Sequence, residues 1–129
     1  MKNIVKILSL SFIVLTVTVF YSCKKDNDNK SGTHKVKFKA ETSSEAKLSA
    51  VVYTNESGDV TSNSSLNSSS FSSAELTIPS SVPIISFRAN GNGASAGSTL
   101  KVQIWVDGNL VKENTGTGTA LTASTTYSF

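Results

Sequence analysis

The chain reads as all-β, a single sandwich of about seven or eight antiparallel strands over residues 34–129, preceded by two short segments of other kinds. Three observations lead there. Apolar and polar residues alternate with period two in several runs. Clusters of Gly, Asn, Asp, Ser and Pro separate those runs. No apolar stripe at helical spacing is sustained anywhere after residue 33.

His34 to Ala40 alternates cleanly and opens the series. Leu48 to Thr54 follows, with Leu48, Ala50 and Val52 expected on one face and Val51 and Tyr53 on the other. Asn55-Glu56-Ser57-Gly58-Asp59 is turn chemistry, because Asn and Gly tolerate positive φ. Val60 to Leu66 continues the hairpin as a polar, Ser-rich strand. Phe71 to Ile78 is read as one further strand. Pro79 and Pro83 bracket a connection, since neither can donate to a ladder. Pro83 to Ala89 follows, with Ile85, Phe87 and Ala89 inward. Asn90 to Ser98, with three glycines, reads as a flexible loop.

Thr99 to Asp107 has the clearest pattern. Leu100, Val102, Ile104 and Val106 share one face, and Lys101, Gln103, Trp105 and Asp107 share the other. Asp107-Gly108-Asn109 is a tight hairpin turn, and Leu110 to Thr115 pairs back. Tyr127 and Phe129 close the last strand after a Gly/Thr-rich link. The tract from Ser62 to Ser73 is expected to be a polar edge strand and loop, with Leu66 and Phe71 still pointing inward. Such an edge pairs poorly with other chains. Its Asn63-Ser64-Ser65 and Asn67-Ser68-Ser69 match the glycosylation pattern by chance composition.

The first 22 residues carry the marks of a lipoprotein signal peptide. Lys2 and Lys6 form a positive start, and Ile7 to Tyr21 an apolar run. That run is shorter than the ~20 residues a membrane-spanning helix needs. Phe20-Tyr21-Ser22-Cys23 fits the cleavage box, with small Ser22 before the cysteine. Cys23 is the sole cysteine and the expected lipidation site. Three acyl chains there would exceed the two signals that already hold a protein stably at a membrane. Residues 23–33 are charged and small, and are expected to form a disordered tether. Lys25-Asp26 and Asp28 resemble the export signals of Bacteroidetes surface lipoproteins, with Asn27 interrupting the acidic pair. The alternating Asp and Asn read as a solvated spacer, because calcium needs six to eight shaped oxygens.

Without Lys2 and Lys6, the 12 basic residues fall to 10 against 9 acidic, a net charge of +1. That balance points away from nucleic acid. Lys35, Lys37 and Lys39 alternate with Val36, Phe38 and Ala40, so they read as the wet face of a strand. With Cys23 lipidated, no thiol remains for a disulfide.

Catalytic and metal signatures are missing, so the chain is expected to be neither an enzyme nor a cofactor or metal binder. His34 is the only histidine and reads as a surface residue at a strand entry. No HExxH or CxxC spacing occurs. Gly91-Asn92-Gly93 is followed by no lysine-bearing helix, as a phosphate loop requires. Asp59 and Asp107 sit in turns, where they are expected to bond local backbone. Trp105 has two readings. On an otherwise polar face it is a candidate partner-binding or glycan-binding residue, with Tyr53 as its companion. The plainer reading is that Trp105 and Tyr53 together fill a second small cluster.

Ala50 to Asp59 is similar to a stretch of the mycobacterial MmpS transport-accessory proteins. Val102 to Thr115 resembles that family's closing hairpin, and Ser86 to Asn90 with the Gly-rich segment after it also fits. The resemblance covers roughly Phe38 to Gly118. It implies a small immunoglobulin-like sandwich beyond the membrane, assisting an export pump. The chain departs from the family in having a lipid-type leader, no disulfide-forming cysteines, and a Ser-rich middle in place of a Pro-Trp element. The reading is therefore a non-catalytic outer-membrane lipoprotein, periplasmic or surface-exposed, acting as an interaction or transport-accessory domain. Its expected partners are the membrane, through the lipid, and an envelope or transport protein. The alternative is a surface adhesin or glycan-binding module.

Overall fold

The computed structural model describes residues 32–129. The signal peptide, Cys23 and the tether as far as residue 31 lie outside the described residues. The rest is all-β, with nine antiparallel strands: β1 (Thr33–Thr42), β2 (Lys47–Thr54), β3 (Val60–Ser68), β4 (Ser70–Ser72), β5 (Leu76–Pro79), β6 (Ile84–Asn92), β7 (Thr99–Val106), β8 (Asn109–Thr117) and β9 (Ala120–Ser128). One sheet runs β4-β1-β7-β8, with β5 also on β1; the other runs β3-β2-β6-β9. The two sheets form a β-sandwich.

The core lies between the sheets. From the first sheet come Val36, Phe38, Ala40, Ile78, Leu100, Val102, Ile104 and Val106. Facing them are Leu48, Val51, Ile85, Phe87, Ala89, Leu121 and Ala123 of the second. Phe38 and Phe87 meet across the interface with ring centroids 5.3 Å apart. Tyr53 lies 5.3 Å from Phe38, and Phe71 lies 6.0 Å from Tyr53 and 6.2 Å from Phe87. Four rings, two from each sheet, thus form one cluster at tilted angles that suit aromatic quadrupoles.

Several expectations change here. The run Phe71 to Ile78 is two strands. β4 pairs the C-terminal half of β1 and β5 its N-terminal half. Ser73 lies between them, buried. Its Oγ accepts from the Phe38 N–H at 3.0 Å, and its own N–H donates to the Phe38 carbonyl at 2.9 Å. The side chain therefore does what a ladder partner would do across the gap. In β2 a register shift between Leu48 and Ala50 changes which residues face inward. Leu48 is buried, but after the shift Val51 is buried and Tyr53 packs on the core, whereas Ala50 and Val52 do not. A bulge adds one residue and turns every later side chain over.

Asn90-Gly91-Asn92 is not a loop. It completes β6 and pairs with both β2 and β9. The link after Gly116 is likewise short, since β9 begins at Ala120. The Ser-rich tract does form an edge strand, β3, and Leu66 and Phe71 pack against the core as expected. β7 keeps its pattern without a break. Asp107 (φ 50) and Gly108 (φ 81) form the two-residue turn to β8, which pairs Val106 with Asn109. Positive φ at both central residues is the hairpin geometry whose twist matches its strands.

β8 and β9 belong to different sheets and close one side of the sandwich. The Gly118 N–H donates to the Ser98 carbonyl at 2.9 Å, and the Gly93 N–H to the Thr119 carbonyl at 2.8 Å. Asn114 Nδ2 donates to the Ser124 carbonyl at 2.8 Å. These bonds tie the β6–β7 connection to the β8–β9 corner.

Candidate functional site

The outer face of the first sheet carries the most chemistry among the described residues. Its residues come from alternate positions of β1 and β7, the ones left over once Phe38 and Ile104 point inward. Lys37 lies opposite Trp105, Lys39 opposite Gln103, and Glu41 opposite Lys101. Trp105 also faces Leu110 of β8, and Gln103 faces Glu113.

Trp105 is half-buried and held in place. Its indole N–H donates to Gln103 Oε1 at 3.1 Å. Gln103 in turn donates through Nε2 to Glu113 Oε2 at 2.5 Å. Lys39 Nζ stands 4.6 Å from the ring centroid, within the ~6 Å range of a cation–π contact. Two shallow grooves share Lys39. One, of about 280 Å³, is lined by Lys35, Lys37, Lys39, Glu75, Trp105 and Gly108. The other, of about 300 Å³, runs past Glu41, Phe71, Lys101 and Gln103.

Tyr53 is elsewhere. It lies inside, against Phe38 and Phe71, so the structure does not bring it together with Trp105. Trp105 has Lys39 and Gln103 as its neighbours instead. The two residues belong to different sheets, which is what separates them, and the bulge in β2 turns Tyr53 toward the core.

His34 and Asp107 form a second cluster that the sequence does not reveal. His34 Nδ1 lies 2.8 Å from Asp107 Oδ2, and the Lys35 N–H donates to Asp107 Oδ1 at 2.8 Å. An ionised carboxylate only accepts, so Nδ1 carries the proton. The His34 ring stacks on Phe129, with centroids 4.4 Å apart and 9° between planes. Asp107 thus bonds residues far away in the chain, not the local backbone expected of a turn aspartate. The pair fastens the start of β1 to the β7–β8 turn.

The bond from His34, then that from the Lys35 N–H, holds the Asp107 carboxyl below its ordinary value of 3.8. A depressed carboxylate stabilises the fold above its unfolded pKa, and that contribution is lost as pH falls through the folded value. Asp107→Asn, which tolerates the positive φ, is therefore expected to flatten the acid side of the stability profile. Thermal melts taken from about pH 5 downward check this, because that is where such a contribution fades. Parallel acid limbs for the two proteins would contradict it.

Asp59 lies in the turn before β3, where its N–H donates to Asn55 Oδ1 at 3.0 Å. Among the described residues, no group of three or more His, Cys, Asp or Glu side chains could hold a metal ion. The chain matches no protein-family model and no curated protein.

Proposed function

We propose that the chain is a non-catalytic envelope lipoprotein, anchored at the outer membrane through Cys23, whose sandwich is an interaction or transport-accessory domain. The observation that carries the interaction role is Trp105. It is a large aromatic side chain fixed by Gln103 on an otherwise polar sheet face. Rigid aromatic anchors of this kind dominate recognition surfaces. The apolar run before Cys23 supports the anchor. The MmpS-like stretches support a transport-accessory role. A second reading, a glycan-binding module, is favoured by the lysines and Gln103 beside the indole, which supply hydrogen bonds around an aromatic platform.

A photo-crosslinking residue in place of Leu110, which is 43% exposed and opposite Trp105, tests the proposal in intact cells. A discrete adduct is expected that Trp105→Ala abolishes and that a probe at Ser124, on the other sheet, does not form. Cys23→Ser should shift the protein from the envelope to the soluble fraction. Equal adducts at both positions would remove the case for this face, and an unchanged envelope fraction would remove the anchor.

A further inference from the structure

We infer that the outer face of the first sheet binds an acidic polysaccharide, one whose sugars carry carboxylates. The inference rests on the second reading above, the glycan-binding module, and names its ligand. Lys35, Lys37 and Lys39 occupy alternate positions of β1, so their side chains leave the same face about 7 Å apart. Lys101 extends the series on β7. Among the described residues none of the four has a carboxylate within ion-pair distance, since the one ion pair is His34 with Asp107. Lys35 Nζ donates to Thr77 Oγ1, and Lys39 stands over the indole. Their charges are therefore available to an anionic ligand.

The shape decides what kind of anion. The two grooves share Lys39 as a lining residue and both lie along β1. Each is near the lower end of the ~300–1,000 Å³ usual for small-ligand sites, which suits an extended polymer held a few units at a time. Trp105 supplies one flat apolar surface for a sugar ring once the Lys39 amine turns from the indole to a ligand carboxylate. Glu75, exposed at the groove, supplies an acceptor for hydroxyls. A protein partner would instead need about 800 Å² per side with an apolar centre. This face offers one ring and Leu110. Duplex DNA carries one phosphate per ~1.7 Å of axis, and Glu75 and Glu41 along the grooves oppose that charge density more than one carboxylate per sugar.

Trp105 is the only tryptophan, so its fluorescence reports on this site alone. The full-length protein in detergent is titrated with polygalacturonate, with its carboxyl-reduced neutral polymer, with polyglutamate and with duplex DNA. Polygalacturonate is expected to give a saturable fluorescence change that added salt weakens. Lys37→Gln and Lys39→Gln should each weaken it about tenfold, as loss of a charge-assisted hydrogen bond does, with unchanged melting temperature. Lys39→Arg should retain binding. Equal affinity for the neutral polymer would overturn the charge requirement. Equal affinity for polyglutamate or DNA would overturn the sugar. No response to any saccharide, with a protein adduct still captured at Leu110, would overturn this inference and leave the interaction role standing. Failure of both experiments would overturn both.

Discussion

Phe38→Ala is expected to cost the sandwich about 3–5 kcal/mol, the usual penalty for removing a buried phenylalanine. Phe38 is fully buried, and its ring packs on two rings of the opposite sheet, Tyr53 and Phe87, each at 5.3 Å. Deleting it leaves a void that neither sheet can close alone. β1 is held on both sides by β7, β4 and β5, so its backbone cannot move in to fill the gap. For a domain of this size each kcal/mol shifts the melting temperature by about 4–8 °C, so a fall of roughly 12–40 °C follows. Domains of this kind have only ~5–15 kcal/mol in total. Thermal denaturation of the variant measures the loss. A fall of only a few degrees would mean that the rings do not share one interior.

Gly116→Ala is the second large effect, and its cause is the opposite one. A Cβ at Gly116 would stand 2.1 Å from the Thr122 carbonyl oxygen and 2.9 Å from its carbon. Both are backbone atoms of β9, in the other sheet, so no side chain can swing aside. The β8–β9 corner has to open, and the bond from Asn114 to Ser124 lies in the region that opens. Overpacking of this sort typically costs ~1–3 kcal/mol. Gly97→Ala is the matched control. Its Cβ would meet only Ser95 Oγ, at 3.8 Å. A change within about 0.5 kcal/mol is expected there, as for ordinary surface substitutions. Chemical denaturation of both variants separates the two cases. Similar stabilities would mean that the corner is looser than the backbone contact indicates.

How much of this could be read from the residues depends on where each partner lies. β7 was legible because strict alternation from Leu100 to Val106 admits one facing, and nothing interrupts it. The Asp107-Gly108 turn was legible because its chemistry is local. β2 was not. Leu48 to Tyr53 is mostly apolar at successive positions, so alternation does not fix the phase, and the bulge becomes visible only against β3 and β6. That one shift turned Tyr53 from the outer face of its sheet onto the core, and the separate sheets of Tyr53 and Trp105 rule out the expected pair. Asn90-Gly91-Asn92 looked like a loop because glycine is scarce in strands. Its glycine is there for another reason: a Cβ at Gly91 would stand 2.5 Å from the Lys47 carbonyl oxygen of the neighbouring strand. The His34–Asp107 bond joins residues 73 positions apart, beyond the reach of any local pattern. At the candidate site, the facing of Trp105 followed from alternation, but its lysine and glutamine neighbours required the register of β1 on β7.

The place of β1 has a mechanical consequence. The same strand continues directly from Gly32 and presents Lys35, Lys37 and Lys39 to the outside. Tension between the preceding chain and anything gripping those amines would run along this one segment and bypass most of the sandwich. Hydrogen-bonded strands on both flanks brace it against slipping, so the rest of the domain serves as a clamp around a short loaded cable.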